Sequence, residues 1–269
     1  MTGLLHPDLL RGRNVFVSGG GSGVNLAIAR ECAAVGANIA ICGRTEAKLQ
    51  AAVRELAEYG VKTSYAVADV RDEAAVAAAF DHAATEIGPM DGIVCGAAGN
   101  FLAPAQKIST NGFRAVTDID LLGSFHCAKA GFEQVKQTGG ALLFVSGGQS
   151  RMPFLHQAHV SAAKAGVDQL MRTLALEWGP LGIRSNSLVP GPVEGTEGMR
   201  RLTETADGDV WEGMVPLGRF ARQDEVGRMA AVLLSPIASF VNGARIVVDG
   251  GMAMSGSAGF NAAVLSADS

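Results

Sequence analysis

The sequence predicts an α/β fold in which a doubly wound parallel sheet carries helices on both faces. Short apolar runs alternate with longer helical stretches along the chain, and the first apolar run leads through a glycine cluster into a helix. Strands that are apolar along their whole length are typical of parallel sheets covered on both faces. Right-handed crossovers then give the doubly wound Rossmann arrangement. No linker or change of composition divides the chain, so residues 1–269 are predicted to form a single domain.

The predicted strands are the short runs of aliphatic and β-branched residues. A run of this kind, bounded by turn-forming residues, indicates a buried strand. In chain order the predicted strands are Asn14–Ser18, Asn38–Cys42, Thr63–Ala68, Gly92–Cys95, Ala141–Ser146, Ile183–Val189 and Arg245–Val248.

The predicted helices occupy the longer stretches between these strands. They are Val24–Val35, Thr45–Tyr59, Glu73–Ile87, Thr110–Lys136, His156–Trp178 and Arg222–Leu234. Thr45 has a side chain suited to capping the helix Thr45–Tyr59. Gly179-Pro180 ends the helix His156–Trp178. The stretch from Pro190 to Pro216 is rich in proline, glycine and charge, and it is predicted to be a loop that closes over a site.

Composition excludes several classes of protein. Hydrophobic residues make up 48% and charged residues 18%, which excludes a largely disordered chain. A net charge of −4 with 6% aromatic residues argues against a nucleic-acid partner. No apolar run has the length of a membrane span, so no membrane association is expected. The four cysteines are widely spaced, which favours a reducing, cytoplasmic compartment. His156 and His159 lack a third ligand, so no metal is expected.

The glycine cluster after the first strand predicts a dinucleotide site. Glycines allow the backbone to approach a pyrophosphate closely, and the N-terminus of the following helix offers unpaired N–H groups. A plain turn is the alternative interpretation. The residues predicted to bind the cofactor here are Gly19, Gly20, Gly21, Ser22, Gly23 and Val24.

The residues after the second and third strands indicate which dinucleotide binds. An acidic residue after the second strand bonds the ribose 2′-hydroxyl of NAD, whereas an arginine pairs with the 2′-phosphate of NADP. This chain has Gly43-Arg44, which favours NADP(H), although Arg44 could instead be a solvated side chain. Asp69 follows the third strand and could bond the adenine amino group or begin the next helix.

Four features in the appropriate order resemble the short-chain dehydrogenase/reductase family: Ser18–Val24, Asp69-Val70, Gly96–Gly99 and Pro190-Gly191. The resemblance covers the chain to about Gly251. It implies a single Rossmann domain, a nicotinamide cofactor and a homotetramer. The further cofactor-binding positions that it implies are Val70, Ala98, Gly99, Lys164, Pro190, Gly191, Val193 and Thr196.

The departures from the family pattern concern the catalytic residues. Lys164 matches the lysine of the Tyr-x-x-x-Lys motif, but Val160 stands at the tyrosine position and Gly147 at the serine position. Asp120 replaces the usual asparagine, and Asn25 replaces the last glycine of the turn. The two tyrosines, Tyr59 and Tyr65, both fall in the cofactor half and do not substitute.

A narrower branch shares most of these departures. The segments Ala97–Leu102, Asp118–Asp120, His159 with Lys164, Glu177–Pro180 and Gly191–Gly198 resemble 2,4-dienoyl-CoA reductases of the peroxisomal type. That branch lacks the tyrosine and uses an aspartate at the Asp120 position. The chain ends without a peroxisomal targeting tripeptide, which suits a bacterial cytosolic protein.

The resemblance implies an NADPH-dependent reduction of a 2,4-dienoyl-CoA or related enoyl-CoA in fatty-acid oxidation. Lys164 would bind the nicotinamide ribose, and Asp120 with Lys164 would hold a water that delivers the proton. The implied substrate-binding positions are Arg71, Phe101, Ser109, Thr110, Asn111 and Arg201.

Two other functions remain open from the sequence. One is a short-chain reductase or dehydrogenase that acts on another carbonyl or alcohol through Lys164 and a different acid. The other is a catalytically inactive NADP-binding sensor or assembly subunit. The presence of both Asp120 and Lys164 argues against the inactive protein, since a degenerate site has no need of both.

Overall fold

A parallel sheet forms the centre of the molecule. The computed structural model describes residues 4–197, 199–200 and 213–257. Within these residues the sheet has seven strands in the order β3-β2-β1-β4-β5-β6-β7, all parallel. The strands are β1 (Asn14–Ser18), β2 (Asn38–Gly43), β3 (Thr63–Val67), β4 (Gly92–Cys95), β5 (Ala141–Val145), β6 (Arg184–Pro190) and β7 (Arg245–Val248). The predicted doubly wound α/β fold is confirmed.

Helices cover both faces of this sheet. They are α1 (Gly23–Ala34), α2 (Glu46–Ala57), α3 (Glu73–Ile87), α4 (Thr110–Thr117), α5 (Gly123–Ala130), α6 (Phe132–Thr138), α7 (Ala158–Trp178) and α8 (Gln223–Leu234). Successive residues of β1 point to opposite faces: Val15 and Val17 pack with α1, α2 and α8, whereas Phe16 packs with α3, α5 and α7. All five residues of β1 are buried, which is why the strand reads as a continuous apolar run.

The strand order creates the crevice that positions the site. β1 pairs with β2 on one side and with β4 on the other, so the chain reverses its direction of winding between β1 and β4. Open α/β sheets bind ligands outside the carboxyl ends of the strands at such a reversal. The loops after β1, β2 and β4 meet there.

The predicted helix Thr110–Lys136 is not one continuous α-helix. A π-helical segment, Asp118–Leu122, separates α4 from α5, and Gly131 separates α5 from α6. A Cβ at Gly131 would lie 2.6 Å from a ring carbon of Phe80, so only glycine fits against the sheet-side packing. π-helical turns occur frequently at functional sites because they change the direction of one side chain. Asp120 lies in this turn.

The start of the predicted helix His156–Trp178 also differs. The observed helix α7 begins at Ala158, because His156 has a φ of 65°, outside the helical region. Thr45 precedes α2 as predicted, but its side chain makes no capping hydrogen bond. Asp72 rather than Asp69 caps α3, and its carboxylate accepts hydrogen bonds from the N–H groups of Ala74 and Ala75.

Two absences apply to the described residues only. None of their helices combines the length and the apolar character that crossing a membrane requires. No three His, Cys, Asp or Glu side chains among them are grouped closely enough to hold a metal ion.

Candidate active site

A cleft of about 290 Å³ opens at the carboxyl ends of β1, β2, β3 and β4. It lies at the reversal point of the sheet, where the topology predicts a ligand. Among the predicted cofactor residues, those that line it are Gly19, Gly21, Ser22, Arg44, Asp69, Val70 and Ala98. Its other described lining residues are Asn25, Gly43, Thr45, Lys48, Leu49, Ala68, Gly96, Ala97 and Ile119.

The glycine turn has the shape that a pyrophosphate needs. Gly19 and Gly23 have φ values of 71° and 59°, in the left-handed region that favours glycine. Ser22 precedes α1 without capping it, so the first N–H groups of that helix lack a side-chain acceptor. A negatively charged group at this helix N-terminus would supply the missing acceptor. The residues present therefore fit a dinucleotide.

Gly20, Gly23 and Val24 contribute to the turn without lining the cleft. A Cβ at Gly20 would lie 2.6 Å from Cγ2 of Ile41, so this glycine allows the turn to pack against β2. Val24 is half-buried and packs against the core below α1. These residues determine the shape of the turn but do not face the cleft in which the cofactor is predicted to bind.

Asn25 occupies the position where the family has its last turn glycine. Its Nδ2 donates a hydrogen bond of 2.8 Å to the backbone oxygen of Gly96, in the loop after β4. Its carboxamide lies so close to Gly96 that a Cβ there would be 2.6 Å from Cγ of Asn25. Ser18 binds the same loop, because its hydroxyl accepts the N–H of Gly96 at 2.9 Å. Asn25 and Ser18 thus tie together the two loops that form the cleft.

The cleft has a basic corner at the end of β2. Arg44, Thr45 and Lys48 are exposed there, and all three line the cleft. Among the described residues, no carboxylate lies within ion-pair distance of Arg44 or Lys48. A free hydroxyl beside two unpaired cations fits a phosphate on the adenosine ribose. The sequence analysis predicts Arg44 as a cofactor residue but not Lys48, which lies on the first turn of α2, three residues after the N-cap Thr45.

Asp69 and Arg71 form a surface ion pair at the opposite side. Arg71 Nη2 lies 2.6 Å from Oδ2 of Asp69, and the pair is bidentate. Hydrogen bonding from Arg71 lowers the pKa of the Asp69 carboxyl. Val70, between them, is buried, and its backbone oxygen lies 2.8 Å from Nδ1 of His126. Asp69 and Val70 line the cleft, whereas Arg71 extends from its edge.

Asp120 and Lys164 form a buried ion pair beside the cleft. Asp120 is 1% exposed, and its Oδ2 lies 3.1 Å from Nζ of Lys164. Oδ1 of Asp120 accepts the N–H of Gly99 at 2.7 Å, while Nζ of Lys164 donates to the backbone oxygen of Val145 at 3.0 Å. Oδ2 accepts no hydrogen bond of good geometry. The pair therefore has a carboxylate oxygen available for one further donor.

The two positions at which the family has its catalytic tyrosine and serine carry no hydroxyl group in this chain. Val160, at the tyrosine position, is buried with 3% exposure and packs with Val116 and Ala163. Gly147 has no side chain. Ser146 is buried and its hydroxyl makes no hydrogen bond, but it lies one residue before the family position. The usual alkoxide-protonating phenol is absent from this site.

His159 is fully buried, packs against Phe101 and lies within reach of the charge of Asp120. Its ring is 4.1 Å from the ring of Phe101, measured between centroids. Burial lowers the pKa of His159, although the nearby Phe101 carbonyl and the Asp120 charge oppose the shift. Neither ring nitrogen meets hydrogen-bond geometry with a partner. The side chain is thus a buried imidazole next to the charged pair, with unused hydrogen-bonding capacity.

The predicted substrate positions are not all gathered in one place. Phe101 stands beside His159 and is 38% exposed. Ser109 caps α4 by accepting the N–H of Gly112 at 3.0 Å, and it lines a shallow surface groove together with Thr110. Asn111 is exposed on the first turn of α4. Arg201 lies outside the described residues.

The chain after β6 leads away from the sheet over a second, smaller cavity. Pro190 and Gly191 line this cavity. Val193 is buried and pairs with Ala221 in an isolated parallel bridge. The hydroxyl of Thr196 donates a hydrogen bond of 2.9 Å to the backbone oxygen of Val193, which stabilises a local turn.

Comparison with known proteins decides the family. The family model for enoyl-(acyl carrier protein) reductase matches residues 19–253. The chain belongs to the short-chain dehydrogenase/reductase family. As a member of that family it is an oxidoreductase.

Several relatives of this short-chain dehydrogenase/reductase have names that specify a reaction. A peroxisomal 2,4-dienoyl-CoA reductase, (3E)-enoyl-CoA-producing, from Rattus norvegicus is 39% identical over 92% of this chain and 86% of the relative. A probable 2,4-dienoyl-CoA reductase, (2E)-enoyl-CoA-producing, from Bacillus subtilis is 36% identical over 88% and 95%.

A solved structure supports the same family. It is a gluconate 5-dehydrogenase from Burkholderia cenocepacia in complex with NADP and tartrate, with a TM-score of 0.86 and 32% identity. The similarity covers 92% of this chain and 98% of that one.

Proposed function

We propose that this chain uses NADPH to reduce 2,4-dienoyl-CoA thioesters. The observation that carries the proposal is the buried Asp120–Lys164 pair at a site where Val160 stands in place of tyrosine. Such a site lacks the acid that a ketone reductase needs. It retains a charged pair that can hold a proton-donating water. The names of the rat and Bacillus relatives support the same substrate class.

The chemistry of a conjugated thioester suits this arrangement. NADPH, when bound, supplies a hydride, which the far end of the diene accepts. Negative charge then spreads to the thioester oxygen and is lost when a proton reaches the α-carbon, giving a 3-enoyl-CoA. The protein must offer hydrogen-bond donors to that oxygen and one proton near the α-carbon.

Asp120 and Lys164 have different roles in delivering the proton. Asp120 accepts the N–H of Gly99 through Oδ1, and its Oδ2, which is paired with Lys164, can accept a further hydrogen bond from water. Lys164 supplies a positive charge beside this carboxylate, with its Nζ 3.1 Å from Oδ2 of Asp120. Lys164 also binds the nicotinamide ribose hydroxyls. A water that Asp120 and Lys164 together hold and polarise delivers the proton to the substrate.

The basic corner makes NADPH the preferred cofactor. The 2′-phosphate is bound by Arg44, by Lys48 and by the hydroxyl of Thr45, which makes no capping hydrogen bond to α2. The glycine turn binds the pyrophosphate at the N-terminus of α1. The remaining proposed cofactor residues are Asp69, Val70, Ala98, Gly99, Pro190, Gly191, Val193 and Thr196.

In this proposal the substrate binds next to the nicotinamide, away from the glycine turn that holds the pyrophosphate. Phe101 packs on the acyl or pantetheine part, and Arg71 and Arg201 bind CoA phosphates. Ser109, Thr110 and Asn111, at the start of α4, complete the proposed substrate site. The reaction belongs to fatty-acid oxidation, and we propose that the protein acts in the cytoplasm as a homotetramer.

Parallel assays of the purified protein test the proposed reaction. NADPH oxidation is measured with 2,4-decadienoyl-CoA, a 3-ketoacyl-CoA and a simple ketone. We expect turnover with the dienoyl-CoA and a 3-enoyl product, identified by NMR. Preference for the 3-ketoacyl-CoA or the ketone would instead support a reductase of another carbonyl. Tight NADPH binding without turnover of any of them would support the inactive sensor.

Replacing Asp120 tests its role in proton delivery. Asp120→Asn keeps the shape and the acceptor for Gly99 but removes the charge, so we expect dienoyl-CoA turnover to fall by about 100-fold. NADPH affinity, measured by fluorescence, should change little. Asp118→Asn, in the same π-helical turn, is the matched control. Wild-type turnover in Asp120→Ala with normal NADPH binding would refute the mechanism.

A further inference from the structure

Gln149 covers the position next to Lys164 that Gly147 leaves empty. A Cβ built at Gly147 would overlap Oε1 of Gln149 and would lie 3.8 Å from Cγ of Lys164. The carboxamide of Gln149 therefore fills the space that a side chain at position 147 would take. No side chain can be added at position 147 unless Gln149 moves.

A buried partner holds Gln149 in this place. Its Nε2 donates a hydrogen bond of 2.8 Å to Oε1 of Gln157. Gln157 is 2% exposed and immediately precedes α7, the helix that carries Lys164. A hydrogen bond to a buried group on a rigid element restricts the rotamers of a glutamine. Gln149 is thus a positioned polar group rather than a loosely placed surface side chain.

The same glutamine lines a cavity whose side chains are mostly apolar, although Arg245 and Asp249 also line it. This cavity, at the ends of β5 and β6, is lined by Met152, Phe154, Met199 and Met252, with Gln149 and the Pro190-Gly191 backbone among its other lining residues. Methionine and phenylalanine side chains adapt to flexible apolar groups. A ligand with an alkyl chain in the cavity and a polar group near Lys164 would pass the Gln149 carboxamide.

We propose that Gln149 binds the thioester oxygen of the substrate and that Gln157 is its positioning residue. This inference rests on the proposed function. A carboxamide offers two N–H donors and one acceptor, and only one of its N–H groups is used by Gln157. Rotating both amides by 180° preserves the hydrogen bond between the two glutamines and brings Nε2 over Gly147. A bound carbonyl selects the orientation that presents a donor.

This assignment supplies a hydrogen-bond donor for the thioester oxygen. As the diene accepts a hydride, charge develops on the thioester oxygen, and a preplaced N–H stabilises that charge more than it stabilises the neutral substrate. The donor must therefore affect turnover more than ground-state binding. It must also discriminate a thioester from a ligand that lacks the carbonyl.

Substitutions of Gln149 test the donor. In Gln149→Ala and in Gln149→Glu, which has a similar shape but no donor when ionised, we expect kcat for 2,4-decadienoyl-CoA to fall by about 100-fold. NADPH affinity and thermal stability should stay near wild type. Gln137→Ala, an exposed glutamine on α6, is the matched control. Wild-type kcat in both Gln149 variants would overturn the proposal.

A double substitution tests the shared space. Gly147→Ser alone should be poorly active, because the new side chain overlaps Gln149. Combined with Gln149→Ala, the serine hydroxyl gains room beside Lys164, so we expect the double variant to recover at least tenfold in kcat over Gln149→Ala. A double variant that is folded by circular dichroism but less active than either single variant would contradict the proposal that the two side chains compete for one space beside Lys164.

A binding measurement separates this inference from the proposed function. Calorimetry compares saturated decanoyl-CoA with its thioether analogue, which lacks only the carbonyl, on the NADP⁺-loaded protein. We expect the wild type to prefer the thioester and Gln149→Ala to lose that preference. Discrimination that persists in Gln149→Ala would refute the role of Gln149 even if dienoyl-CoA is reduced. Failure of wild type to bind either acyl ligand would refute the acyl-CoA substrate itself.

Discussion

Arg44 and Lys48 are cations that no described carboxylate neutralises. Both are exposed at the edge of the cleft, one at the end of β2 and the other on the first turn of α2. Other exposed arginines of the chain, such as Arg71 and Arg219, have carboxylate partners. Positive charge without a partner at the rim of a nucleotide-shaped cleft favours an anionic ligand. At the scale of single residues, cofactor choice depends on these two side chains.

Removing these cations is expected to abolish the preference for NADPH over NADH. A charge-assisted hydrogen bond contributes about 1.5–3 kcal/mol, so each of Arg44→Ala and Lys48→Ala should raise the Kd for NADPH by about tenfold or more. The Kd for NADH should be nearly unchanged, because NADH lacks the 2′-phosphate. Fluorescence titration measures both. Arg54→Ala, an exposed arginine later on α2, serves as control, and an equal loss for both cofactors would contradict this role.

At the scale of elements, a buried ion pair fastens α7 to β7. Arg245 Nε lies 3.1 Å from Oδ2 of Asp168, and both side chains are at most 10% exposed. The hydroxyl of Ser187, on β6, donates to Oδ1 of Asp168 at 2.9 Å. Arg245 also lines the cavity that Gln149 faces. The network thus links the helix that carries Lys164 to the strand at the edge of the sheet.

Breaking this pair should destabilise the protein strongly. Asp168→Ala leaves the Arg245 guanidinium buried without a counter-charge, and such losses cost about 3–5 kcal/mol. Urea unfolding followed by circular dichroism measures the free energy of unfolding. Gln169→Ala, at the next and more exposed position of α7, should cost under about 1 kcal/mol. A similar small change for Asp168→Ala would indicate that solvent reaches Arg245.

The N-terminus of α8 makes a pH-dependent contribution to stability. Glu225 bonds Arg219 and the backbone N–H of Arg222, and these contacts lower its pKa to about 2. A carboxyl with a lowered folded-state pKa stabilises the fold above its unfolded value near 4.5. That stability is lost as the pH falls from there towards 2.

Glu225→Gln should remove this dependence. Free energies of unfolding at pH 6 and pH 3 are compared for both proteins, and the wild type should lose more stability than the variant over this interval. Glu86→Gln, on the exposed side of α3, should behave as the wild type does. Equal losses in wild type and Glu225→Gln would show that the contacts of Glu225 do not persist in solution.

At the scale of the whole molecule, large apolar side chains stand exposed on several helices. Phe113 on α4, Leu122 in the π-helical segment, Phe125 on α5 and Leu176 on α7 are 39%, 41%, 40% and 80% exposed. Exposed apolar patches of this kind mark interaction surfaces. The homotetramer that we propose would cover them.

Light scattering should give a particle mass of four times the 27.6 kDa chain. Leu176→Asp places a charge where the proposed contact excludes water, so we expect dissociation to smaller species. Leu4→Asp, at an equally exposed leucine near the N-terminus, should leave the mass unchanged. A monomer mass for the wild type at micromolar concentration would refute the tetramer.

The sequence by itself determined the fold class and predicted the kind of ligand. Uninterrupted apolar strands indicate burial on both faces of the sheet, and the glycine turn indicates a close approach of the backbone to a pyrophosphate. Both patterns are local in the sequence, so they can be recognised without the tertiary structure. The same holds for the absence of the tyrosine at Val160, which directed the proposal towards a conjugated thioester.

Only the tertiary structure decided which side chains meet. The predicted continuous helix over Asp120 is interrupted by a π-turn, because packing against α7 and the sheet overrides helical periodicity. Asn25 reaches Gly96 across a separation of 71 residues, which no periodic pattern encodes. The physical reason is that strand order sets these neighbours, and a side chain's partners across a sheet are fixed by three-dimensional packing rather than by spacing along the chain.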